Sequence, residues 1–171
     1  MDGAKLVIIT VPPTETRDIL EAIGPILEQG CVVTDTGTAK APVMEWAAQY
    51  LPSGVGFVGG HPLPKRLPPS IEEADPSVLK DIDYVVIPAK SADGHALRTV
   101  TSMVERIGAR PLFLDPHEHD SYAAAMSYLP VVLSSAFVTA TASSNSWREM
   151  HRVASSEFEG ISHLASEDPI D

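Results

Sequence analysis

Three polar segments contain the residues that could do chemistry in this chain. They are Thr10–Pro13, Thr34–Lys40 and Gly59–Arg66, the last of which places His61 between a Gly-Gly pair and a proline. An imidazole in such a place can exchange a proton with a bound molecule near neutral pH, or it can only bond to nearby backbone. The choice depends on where the fold puts the three segments.

The elements around these segments predict an α/β domain. Five apolar runs are typical of strands: Leu6–Val11, Cys31–Thr34, Val55–Val58, Asp83–Ile87 and Pro111–Leu114. They are separated at 14–27, 42–51 and 92–107 by stretches with helical spacing of apolar residues. This alternation predicts a mostly parallel, doubly wound sheet of the Rossmann-like kind, in which ligands lie at the carboxyl ends of the strands. The three polar segments follow strands one to three, so we expect them to converge.

After Asp115 the pattern becomes purely helical. Asp115–Glu118 reads as a helix start, with aspartate at the cap, proline first and glutamate third. The weakly polar stretch Ala123–Ala142 contains several Ser and Thr residues, so we expect a buried helix and not a membrane span; Pro130 should kink or break it. The sequence therefore predicts an α/β domain at 1–115 and a helical region at 116–171.

The composition excludes several classes of function. The 171 residues include 23 acidic and 12 basic ones, a net charge of −11, which leaves no broad basic face for nucleic acid. Cys31 is the only cysteine, so an intrachain disulfide is impossible and a reducing compartment is favoured. Serines lack the context of a nucleophile elbow, and the histidines lack metal-ligand spacing with suitable partners. We expect no metal, no nucleic acid and no membrane among the partners.

Taken in order along the chain, five segments resemble motifs of the prephenate and arogenate dehydrogenase family. They are Val7–Pro13 (the strand and Val-Pro turn over a dinucleotide), Thr34–Lys40 (a Thr-Asp-x-x-Ser-x-Lys loop), Phe57–Pro62 (the segment of the family histidine), His119-Asp120 with Ser127–Pro130, and Phe158–Pro169. Each match is short, but the five together extend over nearly the whole chain. The resemblance therefore covers both predicted regions. It implies a partial dinucleotide-binding type domain at 1–115 and a truncated helical substrate and dimerisation region at 116–171.

The resemblance implies an oxidoreductase of tyrosine biosynthesis. Such an enzyme passes a hydride from a small cyclohexadienol to NAD or NADP, while CO2 leaves and the ring becomes aromatic. The family pattern implies that His61 bonds the reacting hydroxyl and that Thr38 assists it. We also expect a cytoplasmic protein that forms a homodimer or a higher oligomer, because its helical region is rich in apolar residues. The residues that the resemblance places along the nicotinamide are Val11, Pro12, Pro13 and Thr36.

Three departures from the family pattern concern the substrate. Tyr128 and Val131 stand where the family has histidines, and His163 stands where it has an arginine that the resemblance implies binds a carboxylate. Imidazole is a poor substitute for a fixed bidentate cation, although Lys65 and Arg66 lie close to His61 in sequence and carry charge. The candidate substrate-binding residues are Lys65, His119, Tyr128 and His163.

A second function remains open from the sequence. The chain shows no Gly-x-Gly-x-x-Gly turn, and its first strand is expected to be an exposed edge. The alternative is a truncated, inactive relative that acts as an oligomerising or small-anion-binding domain. Single residues also keep plainer interpretations: His61 bonded to backbone, Thr38 and Lys40 in a solvated loop, His119 in a helix start, and Tyr128 in the core.

Overall fold

The computed structural model describes residues 3–65 and 70–166. These residues form two compact units, and the division along the chain falls between Asp120 and Ser121. The first unit contains all the strands of the described chain, and the second is helical. Each unit is described by itself.

The first unit is built on a five-stranded sheet whose spatial order follows the chain. The strands are β1 (Leu6–Ile9), β2 (Val32–Asp35), β3 (Gly56–Pro62), β4 (Asp83–Pro88) and β5 (Arg110–Phe113). Neighbours pair in parallel except β3 and β4, which are antiparallel. The mostly parallel, Rossmann-like sheet predicted from the sequence is confirmed. Within the described residues β1 is an edge strand, and Ile8 on it is 46% exposed.

Helices cover both faces of this sheet. They are α1 (Pro13–Ile23), α2 (Ala41–Tyr50) and α3 (Gly94–Arg106). Alternate strand residues point to opposite faces, so the sheet supplies two apolar cores. One core contains Val58 and Val86 with Val100 of α3. The other contains Phe57 with Leu20 and Val43 of α1 and α2, respectively.

The third strand runs through the segment that was predicted to be a loop. In the register of β3 with β4, His61 pairs with Val85, so the prediction that His61 lies just past the strand is wrong. Because β4 supplies backbone partners, residues 59–62 stay extended. Gly60 is required at this point, since a Cβ there would lie 2.5 Å from the backbone oxygen of Asp35. The sheet itself therefore positions His61.

The part of the chain described after β5 contains only helices. They are α4 (Pro116–Ala123), a π-helical turn (Ala124–Tyr128), α5 (Leu129–Ala142), α6 (Trp147–Arg152) and α7 (Ser156–Ser162). The predicted helix start is confirmed, because Oδ1 of Asp115 accepts from the backbone N–H groups of His117 and Glu118. Pro130 does not break the helix; it lies in the first turn of α5, directly after the π-helical turn.

The apolar stretch 123–142 is exposed, so the prediction of a buried helix is wrong for this chain. Met126, Val132 and Leu133 are 76%, 61% and 60% exposed. The buried Ser134 donates from Oγ to the carbonyl oxygen of Ile161, which ties α5 to α7. By length and composition alone, the helix at 116–142 is sufficient to cross a membrane, and 6% of its most apolar window is buried. Apolar composition marks a surface that avoids water without saying what covers it.

Candidate active site

A buried ion pair joins the carboxyl end of β2 to β3. Lys40, the residue before α2, donates from Nζ to Oδ2 of Asp35 and to the carbonyl oxygen of Gly60, the latter at 2.6 Å. Asp35 also accepts from the backbone N–H groups of Gly37 (3.0 Å) and Gly60 (3.2 Å). Because the Lys40 side chain is 0% exposed, its interpretation as a solvated loop residue is wrong. Burial raises the pKa of Asp35 and lowers that of Lys40, and the attraction between the two opposes both shifts.

A line of three side chains runs from β3 to the start of α2. Nδ1 of His61 lies 2.9 Å from Nε2 of His119, and Nδ1 of His119 lies 2.9 Å from Oδ1 of Asp120. Asp120 also accepts from the backbone N–H groups of Lys40 and Ala41, both at 2.8 Å. His119 is buried and His61 is half-buried. We call these three side chains, His61, His119 and Asp120, the relay.

The surroundings of the relay favour a neutral His61. Burial lowers the pKa of His61 to about 4, and a second proton on His119 or the charge of Lys40 acts in the same direction. Burial by itself would raise the pKa of Asp120, but the hydrogen bonds from His119 and from the two backbone N–H groups outweigh it and lower that pKa. At neutral pH the relay therefore has a neutral imidazole, that of His61, at its β3 end and an ionised carboxylate, that of Asp120, at its α2 end.

The four residues predicted to line the nicotinamide are neighbours in the structure. Thr36 donates from its backbone N–H to the carbonyl oxygen of Ile9 at 3.1 Å, which joins the ends of β1 and β2. A Cβ on Gly37 would lie 3.8 Å from the ring of Pro13, so the two following loops also lie close together. Together they offer half-buried apolar surface with a hydroxyl group, which fits a flat amide-bearing ring. The four residues are Val11, Pro12, Pro13 and Thr36.

The other predicted site residues lie in several places. Thr38 is half-buried in the loop between β2 and α2, and Lys65 is exposed after β3. Tyr128 is 45% exposed at the end of the π-helical turn, so its interpretation as a core residue is wrong. His163 is exposed at the start of a 3-10 turn in the second unit. Arg66 and the end of the 158–169 motif are outside the described residues.

The sequence pattern assigned no role to Asp120 in the site. The residue stood out only because it follows His119 at a helix start, where a helix cap is an equally good explanation. The structure places both oxygens of Asp120 on the amino end of a different helix, 79 and 80 residues away along the chain. Only the tertiary fold brings these groups together.

The first unit is therefore a Rossmann-like α/β domain with a histidine-containing relay at the carboxyl ends of its parallel strands, where such domains bind ligands. A profile described as prephenate dehydrogenase, nucleotide-binding domain, matches residues 1–112, and a profile described as prephenate dehydrogenase, dimerization domain, matches residues 115–171. The two profiles cover nearly all of the chain. The chain belongs to the prephenate dehydrogenase family.

Individual relatives agree with this assignment. The chain is 29% identical over 168 residues to the prephenate dehydrogenase of Bacillus subtilis, covering 97% of this chain and 45% of that protein. It is similar to the crystal structure of Synechocystis arogenate dehydrogenase, with 28% identity, a TM-score of 0.81, and coverage of 98% and 60%. The A. aeolicus prephenate dehydrogenase structure in complex with hydroxyphenyl propionate and NAD+ has 24% identity, a TM-score of 0.87 and coverage of 97% and 58%, and shows the shared fold. The chain thus spans about half the length of these relatives.

Proposed function

We propose that this chain is the part of an NAD(P)-dependent dehydrogenase that oxidises and decarboxylates prephenate or arogenate in the cytoplasm. The observation that carries the proposal is the neutral, half-buried His61, which is held by the relay at the sheet edge where Rossmann-like domains take their ligands. Membership of the family supports the same reaction. The proposed division of labour places cofactor binding at 1–115 and substrate binding and dimerisation at 116–171.

His61 would take the proton of the substrate hydroxyl. As the O–H bond breaks, the ring carbon that bears this oxygen would give up a hydride to a bound nicotinamide. The C–CO2 bond would then break, its electron pair would complete the aromatic ring, and the resulting phenolate oxygen would take the proton back from His61. A pKa of about 4 makes His61 a weak base in the empty protein. The two carboxylates of a bound substrate would stabilise the imidazolium and raise that pKa toward the range in which a general base works best. Thr38 is proposed to bond the same hydroxyl.

A bound nicotinamide would supply the hydride acceptor. Val11, Pro12 and Pro13 would give its ring an apolar surface, and Thr36 would offer its hydroxyl to the amide. The closeness of the loops after β1 and β2 supports this role, because one ring can touch both. The carboxylates of the substrate would be met by polar side chains from other parts of the chain, which we propose to be Lys65, Tyr128 and His163.

The test uses binding and turnover with a matched histidine control. We expect NAD+ or NADP+ to bind the chain in calorimetry, and reduced nicotinamide to form with prephenate or arogenate. His61→Ala should lower kcat by about a hundredfold or more, the scale of a positioned acid or base. His95→Ala, at an exposed histidine of α3, should leave kcat unchanged. The proposal would be contradicted if no cofactor binds at millimolar concentration, or if the two substitutions have equal effects on kcat. Binding of dicarboxylates without any binding of cofactor would favour the alternative, an inactive relative.

We also propose that the second unit forms a homodimer through the exposed apolar surface of α5. Val132 and Leu133 would lose this exposure in a dimer, which is the ordinary reason for a large apolar patch on a water-soluble chain. Leu133→Glu should shift the protein toward monomer in sedimentation. Ile26→Glu, at an equally exposed residue of the first unit, is the matched control and should not. A monomeric wild-type chain, or dissociation by both substitutions, would refute this interface.

A further inference from the structure

When both imidazoles of the relay are neutral, the direction of every hydrogen bond in it is fixed from its Asp120 end. Backbone N–H groups of Lys40 and Ala41 can only donate, and they meet Oδ1 and Oδ2 of Asp120 at 2.8 Å. An ionised carboxylate can only accept. The bond between Asp120 and His119 therefore requires a proton on Nδ1 of His119.

The protonated nitrogen of His119 in turn determines which nitrogen of His61 carries a proton. A neutral imidazole carries one N–H, so His119 with its proton on Nδ1 presents a lone pair at Nε2. Nδ1 of His61, 2.9 Å away, must then be the donor. The single proton of neutral His61 is thus on Nδ1, and Nε2 is left as an acceptor.

We propose that Asp120, acting through a neutral His119, holds His61 in the tautomer that has a proton on Nδ1 and none on Nε2. Asp120 and His119 are then positioning residues for the reaction, a statement that rests on the proposed function. His119 was expected from the sequence to contact the substrate. Instead, both of its ring nitrogens are engaged by the protein and the residue is 3% exposed.

The tautomer matters because the alternative cannot do the work of a base. With the proton on Nε2, which is the preferred form of a histidine side chain in water, His61 would offer a donor to the substrate hydroxyl and could not take its proton. A carboxylate that sets the tautomer of a catalytic imidazole is a known device in hydrolases, where it acts on the histidine directly. Here the carboxylate would act through a second imidazole, whose ring meets that of His61 edge-on at an interplanar angle of 80°.

The first experiment reads the tautomer directly. Nitrogen-15 NMR of the 171-residue chain at neutral pH distinguishes a protonated from an unprotonated ring nitrogen for each histidine. We expect His61 to show a protonated Nδ1 and a bare Nε2. A spectrum with the proton on Nε2 of His61 would overturn the inference, whatever the activity of the chain.

Two substitutions of His119 then test its part in the relay. His119→Leu removes the acceptor for Nδ1 of His61, so we expect His61 to move toward the Nε2-protonated form and kcat to fall about tenfold or more with little change in KM. His119→Gln keeps an amide oxygen as acceptor and should retain the wild-type tautomer and most of kcat. If His119→Leu leaves the tautomer of His61 unchanged, His119 does not set it.

Asp120→Ala tests the far end of the relay, and it has a control elsewhere in the fold. Asp120→Ala removes hydrogen bonds at the amino end of α2 as well as the acceptor for His119. Asp93→Ala removes the matching cap of α3, where Oδ1 of Asp93 accepts from the N–H of Ala96 at 2.8 Å. Only Asp120→Ala should change the tautomer of His61. If neither substitution changes that tautomer, Asp120 does not set it. A correct tautomer in a chain that turns over neither substrate would contradict the proposed function and leave this inference standing.

Discussion

Replacing Lys40 by methionine would remove the cation from a pair that is almost completely shielded from water. The side chains of Lys40 and Asp35 are 0% and 1% exposed. Methionine is similar in volume and apolar, so the main change is electrostatic. Asp35 would keep two backbone donors, from Gly37 and Gly60, but no opposite charge, and the carbonyl oxygen of Gly60 would lose its ammonium partner.

The expected cost follows from this inventory. Removing one partner of a buried pair typically costs about 3–5 kcal/mol, because the remaining charge is left in a medium of low polarity. The two backbone donors to Asp35 offset part of this, so we expect about 3 kcal/mol in the free energy of unfolding. The double variant Asp35→Asn with Lys40→Met should be less destabilised than the sum of the single variants, since no uncompensated charge remains.

Urea denaturation followed by circular dichroism measures the effect. With a denaturant slope of about 2 kcal/mol/M, a loss of about 3 kcal/mol lowers the midpoint by about 1.5 M at unchanged slope. Lys5→Met is the matched control, because the ion pair of Lys5 with Glu28 is 3.7 Å long and its side chains are 76% and 60% exposed. Exposed pairs contribute about 0–1 kcal/mol. A midpoint for Lys40→Met no lower than that for Lys5→Met would refute the reasoning.

Two further predictions concern β3. Gly60→Ala should destabilise the fold by about 1–3 kcal/mol or more, because the added Cβ would lie 2.5 Å from a backbone oxygen. The control Gly160→Ala, whose Cβ would enter open space on a helix, should be neutral or stabilising. Thermal unfolding measures both, and equal melting temperatures of the two variants would contradict the steric argument. The pKa of His61 falls from 6.5 to about 4 on folding, so its neutral form stabilises the protein fully above pH 6.5 and this stabilisation is lost as the pH falls through about 4. Relative to His61→Gln, wild type should therefore lose up to about 3 kcal/mol over this range in urea titrations, and parallel pH curves would rule the shift out.

The order and type of the elements were predictable because local pattern determines them. Apolar runs such as Val32–Val33 and helical spacing such as that of Val100 and Val104 report burial directly. The antiparallel placement of β4 was not predictable, since Asp83–Pro88 has the same apolar run in either orientation. For this reason the strand character of His61, which depends on β4, was also missed.

The candidate site was predictable as a set of loops and unpredictable as a set of contacts. Family-like motifs pointed to His61, Thr36 and His119 one by one. The burial of Lys40 and the bonds of Asp120 depend on segments that are far apart in sequence, and neither composition nor spacing encodes such contacts. Likewise, the apolar composition of α5 indicates a surface that avoids water, but the same composition would serve a core or an interface.

The position of His61 inside a strand limits how the gene can change. Because side chains alternate along β3, deletion of one codon between Gly56 and Gly60 would turn the imidazole to the opposite face of the sheet and separate it from His119. The number of residues between the two strands does not set this alternation, since β4 pairs with β3 through its own backbone groups. Insertions and deletions in natural relatives, or in an engineered library, should therefore accumulate between β3 and β4 and be absent from β3 itself.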